Sequence, residues 1–247
     1  MNAKSLVACA ALLMGVAFVA PQASAAGVQS DVVGYTTIKM DADKWYMIGT
    51  PFTALDGAKT VRINDLFRAD FQTRDSMRVL DTNSNTYTVY FWNGNADGQK
   101  GAWVEKSARN PVPTEATIGP GQAVYIQKTK DAAATTLTLA GKVEATTVEF
   151  GLDTTGSWSQ VVAVWPTDTA LNDIVWTGMK TRDSIRILNS DLNEYSVYYW
   201  NGKAKEGQGA WVEGSSRNPT PSTRIVKAGE AMFVNKLDAG KATLLAK

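Results

Sequence analysis

The sequence predicts an all-β protein built of two similar sandwich-like or barrel-like units in tandem, with little helix. Three observations lead to this fold class. A block that begins at Trp92 returns at Trp200, the apolar residues around it alternate with a period of two, and clusters of Asn, Asp and Gly separate the alternating segments. Alternation is typical of strands and the clusters are typical of tight turns, so each copy of the block predicts several short strands.

The N-terminal residues 1–25 have the layout of a secretory signal peptide. Lys4 precedes an apolar run over residues 6–20, and Ala23-Ser24-Ala25 supplies the small residues of a cleavage site. We therefore expect cleavage after Ala25 and export to the periplasm, the cell surface or the extracellular space. The apolar run is shorter than the roughly 20 residues that a membrane-spanning helix needs, so we expect no membrane-spanning segment after signal removal.

The composition excludes several kinds of chemistry. The only cysteine is Cys9, inside the predicted signal, which excludes a disulfide framework. The chain has no histidine, which excludes Ser-His-Asp and Cys-His nucleophile pairs and the commonest metal ligand. Removal of residues 1–25 takes Lys4 from the 25 basic residues and nothing from the 24 acidic ones, so the remaining chain is formally neutral. A neutral chain lacks a basic surface for nucleic acid. We predict no nucleic-acid partner, no cofactor and no metal site.

An internal repeat defines the two units. A shift of 108 residues aligns residues 64–128 with residues 172–236 without a gap, and fainter matches extend the repeat on both sides. The sequence thus predicts a first β unit over residues 26–141 and a second over residues 142–247. The segment that joins them contains no Pro-rich or Ser-rich linker, so we expect the two units to form a rigid pair.

Each unit contains the same predicted strands. In "TYTVYFW" (86–92) and its repeat "EYSVYYW" (194–200), alternate residues fall on opposite strand faces, and both faces carry aromatic side chains. Further strands are predicted at "SMRVL", "SIRIL", "GQAVYIQK" and "GEAMFVNK". The segments "INDLFRADF" and "LNDIVWTGM" each predict a short helix with Asn or Asp as the N-cap.

The repeated block also supplies the candidate binding residues. Flat aromatic faces beside amide, carboxylate and guanidinium groups are what a sugar-binding surface needs, because a pyranose ring stacks on the aromatic face while its hydroxyls form directed hydrogen bonds. The alternative is that these aromatic residues anchor a small β core. The candidate residues are Tyr90, Trp92, Asn93, Trp103, Glu105, Arg109 and Asn110 in the first unit and Tyr198, Trp200, Asn201, Trp211, Glu213, Arg217 and Asn218 in the second.

Two further patterns have both a functional and a structural interpretation. Asp75 and Glu105 are a possible pair of glycosidase carboxylates, but the duplication of both residues favours structural pairing with arginine. The turns at 81–85 and 189–193 alternate oxygen-bearing side chains, as calcium loops do, yet they lack the Gly and Glu of an EF-hand. We therefore interpret them as hairpin turns and predict no catalytic residue.

Several segments resemble an uncharacterised family of secreted tandem β-domain proteins of verrucomicrobia-like bacteria. They are the opening "SDVVGY", the "NDLF" segment, the Trp-Asn-Gly and Gly-Ala-Trp pair, and "PGQAVYIQK" followed by "TLTLAGKV". The resemblance covers most of residues 30–145 and extends more weakly into the second unit. Ala123-Val124-Tyr125 stands where the family has Gly-Phe-Phe. The resemblance implies secretion and a β fold, and it assigns no catalytic or binding residue.

These observations lead to two functional hypotheses. The first is an exported, non-enzymatic protein of the cell envelope or extracellular space with a structural or interaction role, which associates with copies of itself through strand edges. The second is a carbohydrate-binding protein with one aromatic site per repeat, whose partners would be envelope glycans. Solvent exposure of the repeated tryptophans distinguishes the two hypotheses.

Overall fold

The computed structural model of the chain is nearly all β, with 49% strand and 4% helix, which confirms the predicted fold class. It describes residues 33–54, 56, 58, 60–81, 86–119, 121–143, 148–152, 158–163, 167–204, 207–237 and 242–246. The predicted signal peptide and its cleavage site lie outside the described residues. Residues 144–147, in the segment that joins the two predicted units, also lie outside them. In the described part of the chain, no helix is long and apolar enough to cross a membrane.

A five-stranded antiparallel sheet forms the centre of the first repeat. In spatial order its strands are β2 (Trp45–Gly49), β8 (Ala123–Gln127), β4 (Ser76–Asp81), β5 (Thr86–Asn93) and β6 (Ala102–Glu105). The predicted hairpin is present, because β4 and β5 pair in register from Ser76 opposite Phe91 to Asp81 opposite Thr86.

The second repeat builds the same sheet from equivalent strands in the same order. They are β11 (Trp158–Val162), β18 (Ala231–Asn235), β14 (Ser184–Asn189), β15 (Glu194–Asn201) and β16 (Ala210–Glu213). Trp200 lies opposite Trp211 here, as Trp92 lies opposite Trp103 in the first repeat. The repeat in the sequence is therefore a repeat of strand pairing.

Smaller elements close each repeat over the inner face of its sheet. In the first repeat they are β1 (Val33–Met40) paired with β9 (Thr135–Lys142), β3 (Val61–Arg62) paired with β7 (Thr117–Ile118), and the short helix α1 (Ile63–Leu66). In the second they are β12 (Thr169–Ala170) with β17 (Ile225–Val226), and the sheet of β10 (Val148–Leu152), β19 (Ala242–Ala246) and β13 (Val175–Thr177). The short helix α2 (Ala96–Gln99) of the first repeat lies between β5 and β6 and packs instead against Ala102 and Val104 on the opposite face of the sheet.

The helix predicted at "LNDIVWTGM" is wrong for the second repeat. The first four residues of the equivalent segment of the first repeat form α1, whereas their counterparts in the second repeat, residues 171–174, form a turn. Residues 175–177, which follow that turn, form β13 and pair with β19. The β-branched Val175 and the aromatic Trp176 prefer a strand once a partner strand is available. The predicted cap is also wrong, because the N-cap of α1 is Arg62 and it makes no side-chain capping hydrogen bond.

Each repeat has its own core, and a third cluster joins the two repeats. The first core lies between the inner face of the first sheet, the β1–β9 ribbon and α1, and the second core occupies the equivalent place. The opposite faces of the two sheets meet in a cluster that we call the junction, made of Met47, Ala123, Tyr125, Val162, Leu188 and Ala231 with Trp45 and Phe233 packed against it. Residues 31–247 accordingly form one compact unit.

Candidate functional site

The aromatic residues of the repeated block lie in the cores. Trp103 and Trp211 are 0% exposed, Trp92 is 4% exposed, and Tyr90 and Tyr198 are similarly buried, while Trp200 is half-buried. Burial raises the pKa of the Tyr90 and Tyr198 hydroxyls, as expected for phenols withdrawn from water. These residues pack the interior of each repeat.

Both repeats cover the indole that a sugar would need to stack on. Trp92 and Trp103 meet edge to face with 5.4 Å between their ring centroids. Gly101 lies against the Trp92 ring so closely that a Cβ on it would be 2.5 Å from the indole, and Gly209 lies equally close to Trp200. The tryptophan rings proposed for sugar stacking are therefore covered by other residues of their own repeat, at the positions where a sugar ring would stack.

The amide groups of the block are used in loop hydrogen bonds. Asn93 donates to the Asn110 carbonyl at 2.7 Å and accepts from the Asn95 N–H at 2.9 Å. Asn110 donates to the Glu105 carbonyl at 3.2 Å and accepts from the Val112 N–H at 3.0 Å. Asn201 and Asn218 make the equivalent contacts in the second repeat. The Arg-Asn-Pro segments thus hold loops against strands.

The charged members of the block point to solvent. Glu105 and Arg109 are exposed, as are Glu213 and Arg217. They lie on the surface while the aromatic residues of the same block lie in the core, so the structure does not bring the charged and aromatic candidates together around one accessible surface.

Asp75 and Asp183, the repeated aspartates, are held inside the protein. Asp75 forms an ion pair with Lys128, and both side chains are 0% exposed. Asp183 pairs with Lys236 at 2.9 Å, with both side chains 1% exposed. An interior carboxylate with no exposed surface cannot reach a substrate together with the exposed Glu105. The sequence revealed the repeated aspartates but not their lysine partners, because Lys128 and Lys236 lie 53 residues further along the chain.

Asn64 and Asn172 are structural residues whose role the sequence did not reveal. The Asn64 side chain accepts from the Trp103 N–H at 2.7 Å and donates to the Trp103 and Thr114 carbonyls at 3.2 and 2.9 Å. Asn172 makes the same three bonds to Trp211 and Ser222. Each amide thus completes the free edge of the outermost strand of its sheet. The one feature of the sequence that could have indicated their role is that they repeat at a spacing of 108 residues.

The turn at 189–193 contacts the first repeat. Asn193 accepts from the Trp45 N–H at 3.0 Å and donates to the Asp43 carbonyl at 3.0 Å, while Asn189 accepts from the Asp191 N–H. These oxygens are used within the protein, and no cluster of three or more metal-ligating side chains occurs among the residues that the structure describes. Residues 82–85 of the equivalent first turn lie outside them.

A cleft at the junction is lined by aromatic side chains from both repeats. It has a volume of about 290 Å³ and is lined by Trp45, Arg78, Tyr87, Tyr125, Leu188, Asn193 and Tyr195. Tyr87 and Tyr195, which occupy equivalent positions in β5 and β15, are 43% and 40% exposed. Both belong to the strand face opposite the one that carries Tyr90 and Trp92.

The junction cleft contains hydroxyl groups and a guanidinium beside its aromatic rings. The Tyr125 and Tyr195 hydroxyls are hydrogen-bonded to each other across the two repeats. Burial, together with the neighbouring Tyr195 hydroxyl, raises the pKa of Tyr125, and burial also raises that of Tyr87. Arg78 lies over the Trp45 ring at 4.6 Å from its centroid. The cleft therefore offers aromatic faces, hydroxyls and one guanidinium at neutral pH.

A wider groove of about 590 Å³ runs between β1 and the second repeat. Thr36, Thr37, Ile38 and Lys39 of β1 form one wall, and charged residues that include Asp168, Asp191, Arg224, Lys227 and Glu230 line the other. Glu230 pairs with Arg224, yet burial raises the pKa of the Glu230 carboxyl because the loss of hydration outweighs the attraction of the guanidinium.

No protein-family model matches the chain, and the search of curated proteins found no match. The similarity to secreted verrucomicrobia-like β-domains thus stays a resemblance in sequence motifs. Any functional conclusion depends on the geometry described above.

Proposed function

We propose that this chain is an exported, non-enzymatic protein of the cell envelope or extracellular space with a structural or interaction role. Its association would occur through the outer edge of β1, to which an extended strand of a second copy adds. The single observation that carries this proposal is the lack of a strand partner at that edge, since β1 pairs with β9 alone among the described residues.

The direction of the β1 backbone groups follows from the register. Lys142 exchanges both of its backbone hydrogen bonds with Thr53, so its N–H and C=O point away from β1. Val33, which lies opposite Lys142, therefore belongs to a non-hydrogen-bonded pair and directs its own N–H and C=O outward. Because the direction alternates along a strand, Tyr35, Thr37 and Lys39 also present their backbone groups at the outer edge.

The outer edges of β6 and β16, the last strands of the two five-stranded sheets, are protected, whereas no such protection is found at the outer edge of β1 among the described residues. The outer edge of β6 is completed by Asn64 and by the bridge between Val104 and Pro113, and that of β16 by Asn172 and the bridge between Val212 and Pro221. Proline and side-chain caps are common means of preventing edge-to-edge association. The eight residues of β1 carry a single charge, on Lys39, and include the 76% exposed Tyr35.

Sedimentation velocity of the purified chain over a wide concentration range tests self-association. We expect a concentration-dependent oligomer that Thr37→Pro abolishes, because the substitution removes an outward N–H without removing a β1–β9 hydrogen bond. Thr138→Pro is the matched control, since Thr138 lies opposite Thr37 but its N–H points to the other edge of the ribbon. A chain that stays monomeric at every concentration, or equal effects of the two prolines, would contradict the proposal.

Carbohydrate binding is the second candidate function, and the junction cleft is the observation that favours it. Exposed tyrosine rings beside Arg78 and hydroxyl groups suit a sugar ring that stacks on one face and forms hydrogen bonds at its rim. This version needs one site per molecule, formed by both repeats, instead of one site per repeat.

Titration with soluble glycans, followed by calorimetry and tryptophan fluorescence, tests the cleft. We expect Tyr87→Ser and Tyr195→Ser each to weaken binding at least tenfold, while Tyr35→Ser, an exposed tyrosine outside the cleft, leaves binding unchanged. Absence of heat and of a fluorescence change across a broad glycan set would remove this candidate.

A further inference from the structure

Lys128 and Asp75 are the most deeply buried charged pair of the first repeat. Both side chains are 0% exposed, and the Phe71 ring lies 5.2 Å from the Lys128 Nζ. An ammonium has three N–H donors, yet among the described residues its hydrogen-bond acceptor is the Asp75 Oδ2 alone. A buried ion pair with unsatisfied donors is costly, because the loss of hydration of both charges exceeds their attraction unless further hydrogen bonds compensate.

The carboxyl group of Asp75 is held in a fixed orientation by donors on both oxygens. Its Oδ1 accepts from the Thr129 N–H at 2.8 Å and the Thr129 hydroxyl at 3.1 Å. Its Oδ2, which contacts Lys128, also accepts from the Gln72 N–H at 2.9 Å. Two donors on Oδ1 are the arrangement that stabilises negative charge on the oxygen of a tetrahedral intermediate.

The position of the pair joins two neighbouring strands. Asp75 immediately precedes β4 and Lys128 immediately follows β8, and these strands pair with Ser76 opposite Gln127. A bond between the side chains would therefore join two inner strands of the sheet at one of their ends. Residues 26–247 contain no cysteine, so a disulfide is not available to them for this purpose.

We propose that Lys128 and Asp75 form an intramolecular amide bond, a covalent cross-link of the first repeat. The Lys128 Nζ passes a proton to Oδ2 through their hydrogen bond, and the neutral amine attacks the Asp75 Cγ. During the attack, Oδ1 carries the negative charge against the two Thr129 donors. A second proton then moves from Nζ to Oδ2, the Cγ–Oδ2 bond breaks and water leaves. One N–H remains on the amide, and Oδ1 becomes its carbonyl. An ammonium and a carboxylate thus yield an amide and one water, with no oxidant or co-reactant.

The second repeat lacks two of these features and provides an internal comparison. Lys236 donates to the Gly178 carbonyl at 2.7 Å as well as to Asp183, so its ammonium has a second acceptor. Leu237 stands in place of Thr129, and the described donor to the Asp183 Oδ1 is the Leu237 N–H, without a hydroxyl. We therefore assign the cross-link to the first repeat and an ordinary ion pair to the second.

Mass spectrometry of the full-length chain, purified after expression and with its N-terminus read from the same sample, tests the proposal. We expect an intact mass one water below the mass calculated for the linear, uncross-linked chain, and a branched tryptic peptide that joins Lys128 to Asp75. Lys128→Arg should restore the missing water, whereas Lys236→Arg should leave the deficit unchanged.

Two results would overturn the assignment. One is a wild-type mass equal to the mass calculated for the linear chain, and the other is a water loss that maps to residues other than Lys128 and Asp75. Because the wild-type mass decides the question, the test does not depend on whether the variants fold. The mass is read after denaturation, which dissociates an ion pair but leaves an amide bond intact.

Discussion

At the scale of single residues, the repeated block is best explained by packing. Gly101 has a φ of 76°, in the left-handed region that favours glycine, and it lies directly against Trp92. Gly209 and Trp200 repeat this contact. The contact needs a glycine, because a side chain at this position would clash with the indole ring and the backbone has a positive φ. This is a structural reason why the glycine and the tryptophan occur together in both copies of the block.

Gly101→Ala should destabilise the protein more than Gly98→Ala. Both glycines have a positive φ, so both substitutions incur backbone strain of roughly 1–2 kcal/mol. A Cβ at Gly98 has no heavy atom within 4 Å, whereas one at Gly101 lies 2.5 Å from the Trp92 ring, which should add about 1–3 kcal/mol for overpacking. Urea unfolding of the two variants measures the difference, and equal losses would contradict this account of the block.

Tyr125 should make the protein sensitive to alkaline pH. Its pKa lies above the ordinary value of about 10, so the unfolded chain loses this proton first and the free energy of unfolding falls as pH rises above about 10. Tyr125→Phe should lessen that fall, and Phe233 at the equivalent position of the second repeat shows that phenylalanine fits such a site. Denaturant unfolding at several alkaline pH values measures the slope. The exposed Tyr35 provides a control through Tyr35→Phe, and an unchanged slope for Tyr125→Phe would refute the prediction.

At the scale of strands, side chains complete the sheet edges. Asn64 and Asn172 each make three hydrogen bonds to the backbone of the outermost strand or of the loop beside it. An amide side chain imitates the donor and acceptor of a neighbouring strand without exposing a new edge. The same device is absent from β1, which is why the proposed association is placed there.

Asn172→Ala should cost about 2–4 kcal/mol in the free energy of unfolding. The substitution leaves the N–H of the buried Trp211 and two carbonyls without these partners, and an unsatisfied buried group costs roughly 1–3 kcal/mol. The neighbouring Asp173 is exposed, so Asp173→Ala should change stability by less than about 0.5 kcal/mol. Chemical denaturation compares the two, and a similar small effect of both would show that the edge needs no cap.

At the scale of the whole molecule, the two sheets pack back to back, and equivalent positions of the two repeats carry side chains of different size at the contact. Gly49 in β2 and Val162 in β11 occupy equivalent strand positions, opposite Ala123 and Ala231 respectively. A Cβ on Gly49 would lie 2.5 Å from Val162. The absence of a side chain in one repeat thus makes room for the valine of the other, so the repeats are complementary to each other and not merely similar.

Gly49→Val should weaken the junction, and Val162→Gly should restore part of the loss. The first change overpacks the contact, at a cost of about 1–3 kcal/mol. The rescue is partial because the Gln122 carbonyl also lies 2.6 Å from the added Cβ. Scanning calorimetry should show one cooperative transition for the wild type and earlier unfolding for Gly49→Val. Additive effects in the double-mutant cycle would show that the two residues do not interact.

The sequence by itself determined the fold class, the repeat and the hairpins of this protein. Those features depend on local signals, since the alternation in "TYTVYFW" and the Asn-rich and Asp-rich turns act over a few residues. A local signal fails where a distant partner decides the outcome. Residues 175–177 form a strand that pairs with β19, although the sequence of the whole segment predicts a short helix.

Only the tertiary structure decided which face of β5 is accessible and where the candidate site lies. Both faces of β5 carry aromatics, so alternation cannot distinguish the side of Trp92 from that of Tyr87. The packing of each sheet against its own closing elements buried the first side, and the packing of the two sheets against each other formed the cleft at the second. The hydrogen-bond partners of Asp75, Asn64 and Tyr125 are also distant in sequence. Local patterns cannot reveal them, because only the folded chain brings these residues into contact.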